Sequence, residues 1–104
     1  MGLFASVSSK EVDEFAKNLA LELSKRYPPA LSKEGAQKLS QKRLSTLLEQ
    51  TYKNAIDFKE KNKLGVYKKA RLGNTFRWQL EELGYTKDFI ETATEGLVVY
   101  ISRK

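Results

Sequence analysis

The chain has 104 residues, 40% of them hydrophobic, and its 19 basic residues outnumber its 13 acidic ones, giving a net charge of +6 at pH 7. This length predicts one domain, residues 1–104, with enough apolar residues for a single core. The chain contains no Cys and no His, which excludes disulfides, thiolate zinc sites, cysteine nucleophiles and histidine acid–base catalysis.

A short apolar stretch precedes the first predicted helix. Residues 1–6 (MGLFAS) match the N-myristoylation pattern, in which Gly2 becomes the N-terminus once Met1 is removed. A lipid anchor at Gly2 is one expectation for this stretch, and a frayed end over residues 1–7 is the other. No segment approaches the ~18 consecutive apolar residues of a membrane span. A secretory signal is not predicted, because a basic segment before the apolar one is missing.

The first helix is predicted to begin at a capping box and to end before a proline pair. Ser8 is the N-cap, and Glu11 lies three residues later, so each side chain can accept a hydrogen bond from the other's backbone N–H. Pro28-Pro29 ends the helix, because Pro lacks the N–H and its ring clashes with the preceding turn. Apolar residues at helical spacing predict one buried face: Val12, Phe15, Ala16, Leu19, Ala20, Leu23 and Tyr27.

A long second helix is predicted from an N-cap at Ser32 to a break between Asn62 and Gly65. At 1.5 Å per residue it would be roughly 43 Å long, so a kink is an alternative in a domain of this size. Its predicted buried stripe is Ala36, Leu39, Leu44, Leu47, Leu48, Tyr52, Ala55 and Ile56.

The third predicted helix, Val66 to Leu83, contains Gly73 near its middle. Gly costs ~1 kcal/mol relative to Ala inside a helix, so Gly73 indicates either the close approach of another helix or a break at residues 72–74. We favour a continuous helix, whereas a break would allow a helix-turn-helix motif whose second helix starts at Thr75. The face predicted to be buried carries Val66, Leu72, Gly73, Phe76, Leu80 and Leu83.

The last predicted helix follows Gly84 and has Thr86 as its N-cap. Its apolar residues fall within one arc of a helical wheel: Phe89, Ile90, Ala93, Leu97, Tyr100 and Ile101. A short C-terminal strand at 97–102 is the alternative, because this segment is rich in β-formers, but an isolated two-stranded ribbon with residues 3–7 would be marginal. We therefore predict an all-α fold, a small antiparallel bundle of about four helices with a long second helix; the alternative is α+β.

The net charge is concentrated in residues 59–77, which contain seven basic residues and one acid and so carry +6, as much as the whole chain. Such a localised positive field is typical of proteins with an anionic partner. Aromatic residues are interleaved with these charges, and on a helix Tyr67, Arg71, Asn74 and Trp78 form one stripe opposite the apolar face. The candidate binding residues of this surface at 59–78 are Lys63, Tyr67, Lys68, Lys69, Arg71, Asn74, Arg77 and Trp78.

These observations predict a non-catalytic module that binds an anionic macromolecule, RNA or DNA, because aromatic rings stack on bases and basic side chains pair with phosphates. The alternative is a protein–protein adaptor or regulatory subunit that binds an acidic partner surface. Because Trp residues also often pack into a core, the exposure of Trp78 decides whether it belongs to a binding surface or to the core.

No catalytic residue, metal site or cofactor is predicted. A Gly-rich phosphate loop is missing, the Ser residues have no His base, and the acids of residues 81–95 suit helix starts and solvent-exposed faces. A cytoplasmic location is expected, since a chain without Cys is compatible with reducing conditions.

Overall fold

Four α-helices and one short 3₁₀ helix form the part of the chain that the computed structural model describes, residues 7–33 and 40–103. These residues contain no strand, so the all-α prediction is confirmed and the alternative of a strand at 97–102 is wrong. The proposed lipid anchor at Gly2 lies outside the described residues. The helices are α1 (Ser9–Arg26), α2 (Gln41–Asn62), α3 (Val66–Leu83) and α4 (Lys87–Ser102), and the 3₁₀ helix is Pro29–Ser32.

The predicted capping box starts α1. The Ser8 Oγ accepts a hydrogen bond of 3.1 Å from the Glu11 N–H, and the Glu11 carboxylate accepts one of 2.9 Å from the Ser8 N–H. Val7 is buried although the sequence placed it in a frayed segment, and its carbonyl accepts a hydrogen bond from Lys68. The α1 helix ends at Arg26, before the proline pair.

The start of α2 differs from the prediction. Its N-cap is Ser40, whose Oγ accepts a hydrogen bond of 3.2 Å from the Arg43 N–H. Ser32 instead ends the 3₁₀ helix, where its Oγ donates to the Pro29 carbonyl at 2.7 Å and accepts from the Thr86 N–H at 3.2 Å. At 22 residues, α2 is still the longest described helix. The predicted stripe residues Ala36 and Leu39 lie outside the described residues.

The α3 helix is continuous through Gly73, so the favoured prediction of a continuous helix is confirmed, and the alternatives of a break at residues 72–74 and a helix-turn-helix motif are wrong. Gly73 faces α4: a Cβ added to it would lie 3.0 Å from the Val98 Cγ2. Val66 was predicted to be buried but is 82% exposed. It is the first residue of α3, and the neighbouring Leu64 in the preceding loop takes the buried position at this end of the core.

Each helix runs antiparallel to the next one along the chain, as predicted, so α1 is parallel to α3 and α2 is parallel to α4. The α1 helix packs mainly on α3, and α4 packs on both α3 and α2, whereas α1 and α2 touch each other less. The contacts that fix these directions join Asp13 to Arg71, Tyr27 to Tyr85, Phe15 to Phe58, Tyr52 to Ala93 and Lys59 to Arg103.

Gly96 allows α2 and α4 to approach closely. The Tyr52 side chain is buried against it, and its hydroxyl donates a hydrogen bond of 2.9 Å to the Ala93 carbonyl. A Cβ on Gly96 would lie 2.3 Å from the Tyr52 hydroxyl oxygen and 2.7 Å from the ring carbon that carries it. Burial, together with the neighbouring Tyr100, raises the pKa of Tyr52 to about 12. The hydroxyl therefore stays neutral and able to donate.

We expect Gly96→Ala to lower the free energy of unfolding by about 1–3 kcal/mol, because the Tyr52 ring must move away from its buried hydrogen bond. This loss exceeds the ~1 kcal/mol that Ala contributes to helix propensity. Urea denaturation followed by circular dichroism measures the change. Gly73→Ala is the control: its new Cβ meets Val98, which is 42% exposed and can turn aside. Equal stability of the two variants would contradict a special role for Gly96.

Candidate binding surface

The two aromatic residues of the predicted surface are exposed on one side of α3. Trp78 is 60% exposed and Tyr67 is 64% exposed, and Asn74 between them is also exposed. At 1.5 Å per residue, Tyr67 and Trp78 are roughly 16 Å apart along the helix axis. Trp78 is therefore a surface residue and not part of the core. We call the side of α3 that carries Tyr67, Arg71, Asn74 and Trp78 the aromatic face.

Arg71 is held in place by contacts within the protein. Its Nε and one terminal nitrogen donate to the two carboxylate oxygens of Asp13, each at 2.9 Å, and the other terminal nitrogen donates to the Tyr67 hydroxyl at 2.8 Å. The Thr75 hydroxyl donates to the same carboxylate at 2.9 Å. Asp13 thus balances the charge of Arg71 and joins α1 to the aromatic face.

The hydrogen bonds from Arg71 lower the pKa of Asp13, and burial offsets part of this effect; the Thr75 hydroxyl adds a smaller decrease. The bonds to Asp13, and then to Tyr67, raise the pKa of Arg71. Both groups therefore remain charged at neutral pH. Sequence reasoning missed Asp13, because nothing in its local pattern indicates a partner on a helix that is distant along the chain.

Apart from Arg71, the basic residues of the predicted surface do not share the aromatic face. Lys69 lies two positions after Tyr67, and residues at that spacing point to opposite sides of a helix. The Lys68 ammonium donates to the Val7 carbonyl, and Arg77 pairs with Glu81 at 3.7 Å. Lys63 is exposed and precedes α3. It is the C-cap of α2 and has a left-handed backbone conformation. The structure therefore brings Tyr67, Arg71, Asn74 and Trp78 together and leaves the lysines and Arg77 around them.

A shallow depression of about 540 Å³ lies on the aromatic face, lined by Tyr67, Ala70, Arg71, Asn74 and Thr75. Trp78 is one helical turn beyond Asn74. The depression combines an aromatic ring, an amide and a guanidinium, which can contact apolar groups and also exchange hydrogen bonds.

Other kinds of site are not found in the part of the chain described here. Residues 7–33 and 40–103 contain no cluster of three or more side chains that could hold a metal ion. Within the same residues, no helix has the length and apolar character needed to cross a membrane. Comparison with protein families, curated proteins and solved structures finds no match for this chain.

Asp13→Asn should change how stability depends on pH. Because the folded-state pKa of Asp13 lies below its ordinary value of 3.8, its carboxylate contributes full stability above that value and loses the contribution as the pH falls through the folded-state pKa. The melting temperature of the wild type should exceed that of Asp13→Asn by a constant amount above about pH 5, and the difference should shrink below about pH 4.

Thermal denaturation followed by circular dichroism between neutral and acidic pH provides the measurement. Asp57→Asn, which removes an exposed carboxylate on α2, is the matched control and should leave the pH profile close to that of the wild type. A difference between wild type and Asp13→Asn that persists unchanged in acid would contradict a stabilising role for the Asp13 charge.

Proposed function

We propose that the protein is a non-catalytic binding module whose aromatic face contacts a partner protein. The observation that carries this proposal is the exposure of Tyr67 and Trp78, at 64% and 60%, on the same side of one helix. Trp, Tyr and Arg are the residues most enriched among those that dominate binding energy at protein interfaces. A surface of this composition is therefore suited to a protein partner.

Preorganisation supports the proposal. The Tyr67 hydroxyl accepts a hydrogen bond from Arg71, and Arg71 is itself fixed by Asp13, so these side chains are already ordered before a partner binds. Ordered side chains lose less conformational entropy on binding, which favours affinity. Three of the five N–H groups of Arg71 are used within the protein, and the Asn74 amide adds further donors and an acceptor for the partner.

Basic residues beside the aromatic face favour an acidic partner at its Tyr67 end, whereas the acids at 81–82 lie one turn beyond Trp78. Lys68 follows Tyr67 and Arg77 precedes Trp78, so each cation lies beside the aromatic face and not within it. Protein interfaces commonly have aromatic residues at the centre and charged residues at the rim, and rim charges increase the association rate of an oppositely charged partner. The partner is thus expected to present an apolar or aromatic centre and acidic residues at its edge.

A nucleic acid is the second candidate, because residues 59–77 carry a net charge of +6. A single strand that stacks on Tyr67 and Trp78 needs cations along the same face to neutralise its phosphates. The one cation on that face, Arg71, is balanced by Asp13. This arrangement makes a protein the better-supported partner.

Trp78→Ala should weaken binding of the partner at least tenfold, which corresponds to about 1.4 kcal/mol, because it removes the largest exposed ring of the interface. Its free energy of unfolding should stay within about 0.5 kcal/mol of the wild type, since Trp78 is not in the core. The partner is first identified by cross-linking and mass spectrometry, and its affinity for each variant is then measured by calorimetry. Val99→Ala, an exposed apolar residue on α4, is the control and should bind normally.

Two results would contradict this proposal. One is a Trp78→Ala protein that binds as tightly as Val99→Ala. The other is tight binding of a labelled single-stranded RNA or DNA whose affinity falls steeply with salt and is lost in Arg77→Glu, since counterion release would then identify a nucleic-acid partner.

A further inference from the structure

A groove runs along the junction of α1 and α2, which touch each other less than α1 touches α3 or than α4 touches α2 and α3. It consists of three depressions of about 390, 70 and 440 Å³. The first and second share Leu19, Glu22 and Asn54, and the second and third share Arg26, Leu47 and Gln50, so the three are continuous. We propose that this groove binds one amphipathic helix of a partner protein, with acidic residues of that helix over one end.

The size and lining of the groove suit a helix. From Lys42 to Lys61 the groove follows α2 for roughly 28 Å, about five helical turns. At one end, half-buried Phe15 and Phe58 stack with their ring centroids 3.9 Å apart and their planes 6° from parallel. The apolar floor continues through Leu19, Leu23 and Leu47, and the remaining residues of the third depression are polar. Near the middle of the groove, the Arg26 guanidinium donates a hydrogen bond of 3.0 Å to the Gln50 amide oxygen and so joins the two helices. An apolar floor with polar edges is the geometry that accepts an amphipathic helix. The apolar residues along the groove are Phe15, Leu19, Leu23, Leu47 and Phe58.

The end of the groove near the start of α2 is strongly basic. Arg26, Lys42 and Arg43 are three of the six residues that line the third depression. The opposite end has mixed charge: Asp57 lies there beside Lys61. The polarity of the groove is thus set by its basic end, and charge complementarity requires acidic residues on the part of the partner helix that lies over it.

The position of Lys42 and Arg43 gives an independent reason to expect an anionic group. Both lie in the first turn of α2, which contains no acid. The helix dipole makes this end positive, so basic residues here are unfavourable for helix stability. An acidic side chain from a bound helix would offset both the dipole and the three cations. Helix stability alone gives no reason for bases at these two positions.

The groove and the aromatic face lie on different sides of α1. Asp13 of α1 binds Arg71 on α3, whereas Asn18, five residues later, lines the groove next to α2. Five residues correspond to a rotation of roughly 140° around a helix. Binding in the groove is therefore independent of the function proposed for the aromatic face, and both surfaces can be occupied together.

Synthetic helical peptides test the groove directly. One peptide carries a leucine stripe at helical spacing, Glu residues at one end and Gln elsewhere; a second has Lys in place of Glu. We expect the Glu peptide to bind the wild-type protein at least tenfold more tightly than the Lys peptide, measured by fluorescence anisotropy. The double variant Lys42→Glu/Arg43→Glu should reverse this preference. It should also remain folded, because acids are favoured in the first turn of a helix.

The matched control is Lys10→Glu/Lys87→Glu, which makes the same charge change in the first turns of α1 and α4, away from the groove. It should bind the two peptides as the wild type does. Asn54→Trp, a substitution of an exposed residue shared by two of the depressions, should block the groove and abolish binding. Trp78→Ala should leave peptide binding unchanged, which separates this site from the aromatic face.

Three results would overturn the proposal. The first is equal affinity for the two peptides, and the second is a control variant that behaves like Lys42→Glu/Arg43→Glu. The third is a wild-type protein that light scattering shows to be a dimer and that becomes monomeric in Asn54→Trp, since a second copy of this chain would then occupy the groove.

Discussion

The paired hydrogen bonds between Arg71 and Asp13 fix how α1 and α3 lie against each other, and the exposed surface of α3 depends on this arrangement. Two parallel N–H···O bonds of 2.9 Å define distance and orientation together, which a single lysine contact would not do. The pair is partly exposed, so its contribution lies more in geometry than in stability. The same guanidinium orients Tyr67 through its hydroxyl. A contact between two helices thereby becomes part of the candidate binding surface.

Periodicity and capping chemistry predict most of this fold, and the errors occur where distant contacts decide. Ser32 and Ser40 have the same local ability to cap a helix. The choice depends on the Thr86 N–H, which donates to the Ser32 Oγ and belongs to a loop 54 residues away. In the same way, Leu64 and not Val66 fills the end of the core, because the chain turns there before α3 begins. Local sequence carries no information on either choice.

Sequence predicts which residues form the aromatic face, but it does not predict how much charge that face carries. Helical spacing places Tyr67, Asn74 and Trp78 together, and all three are exposed. A count of charges along residues 59–77 ignores that neighbouring side chains point about 100° apart, so it places Lys69 with aromatic rings that lie on the other side of α3. The balancing of Arg71 by Asp13 was not predictable, because the two residues are 58 positions apart and meet through the packing of α1 on α3. Charge in a sequence window thus overstates the charge on a surface.

The distribution of charge that the structure makes visible connects the two surfaces through α1. On one side of this helix, Asp13 neutralises the cation of the aromatic face, which leaves that face suited to apolar and hydrogen-bonding contacts. On the other side, Arg26 joins the two bases in the first turn of α2, which concentrates positive charge at one end of a partly apolar groove. A concentration of positive charge therefore also lies outside residues 59–77. Its physical basis is the conflict between the α2 dipole and the side chains placed at its positive end, a conflict that an anionic partner resolves.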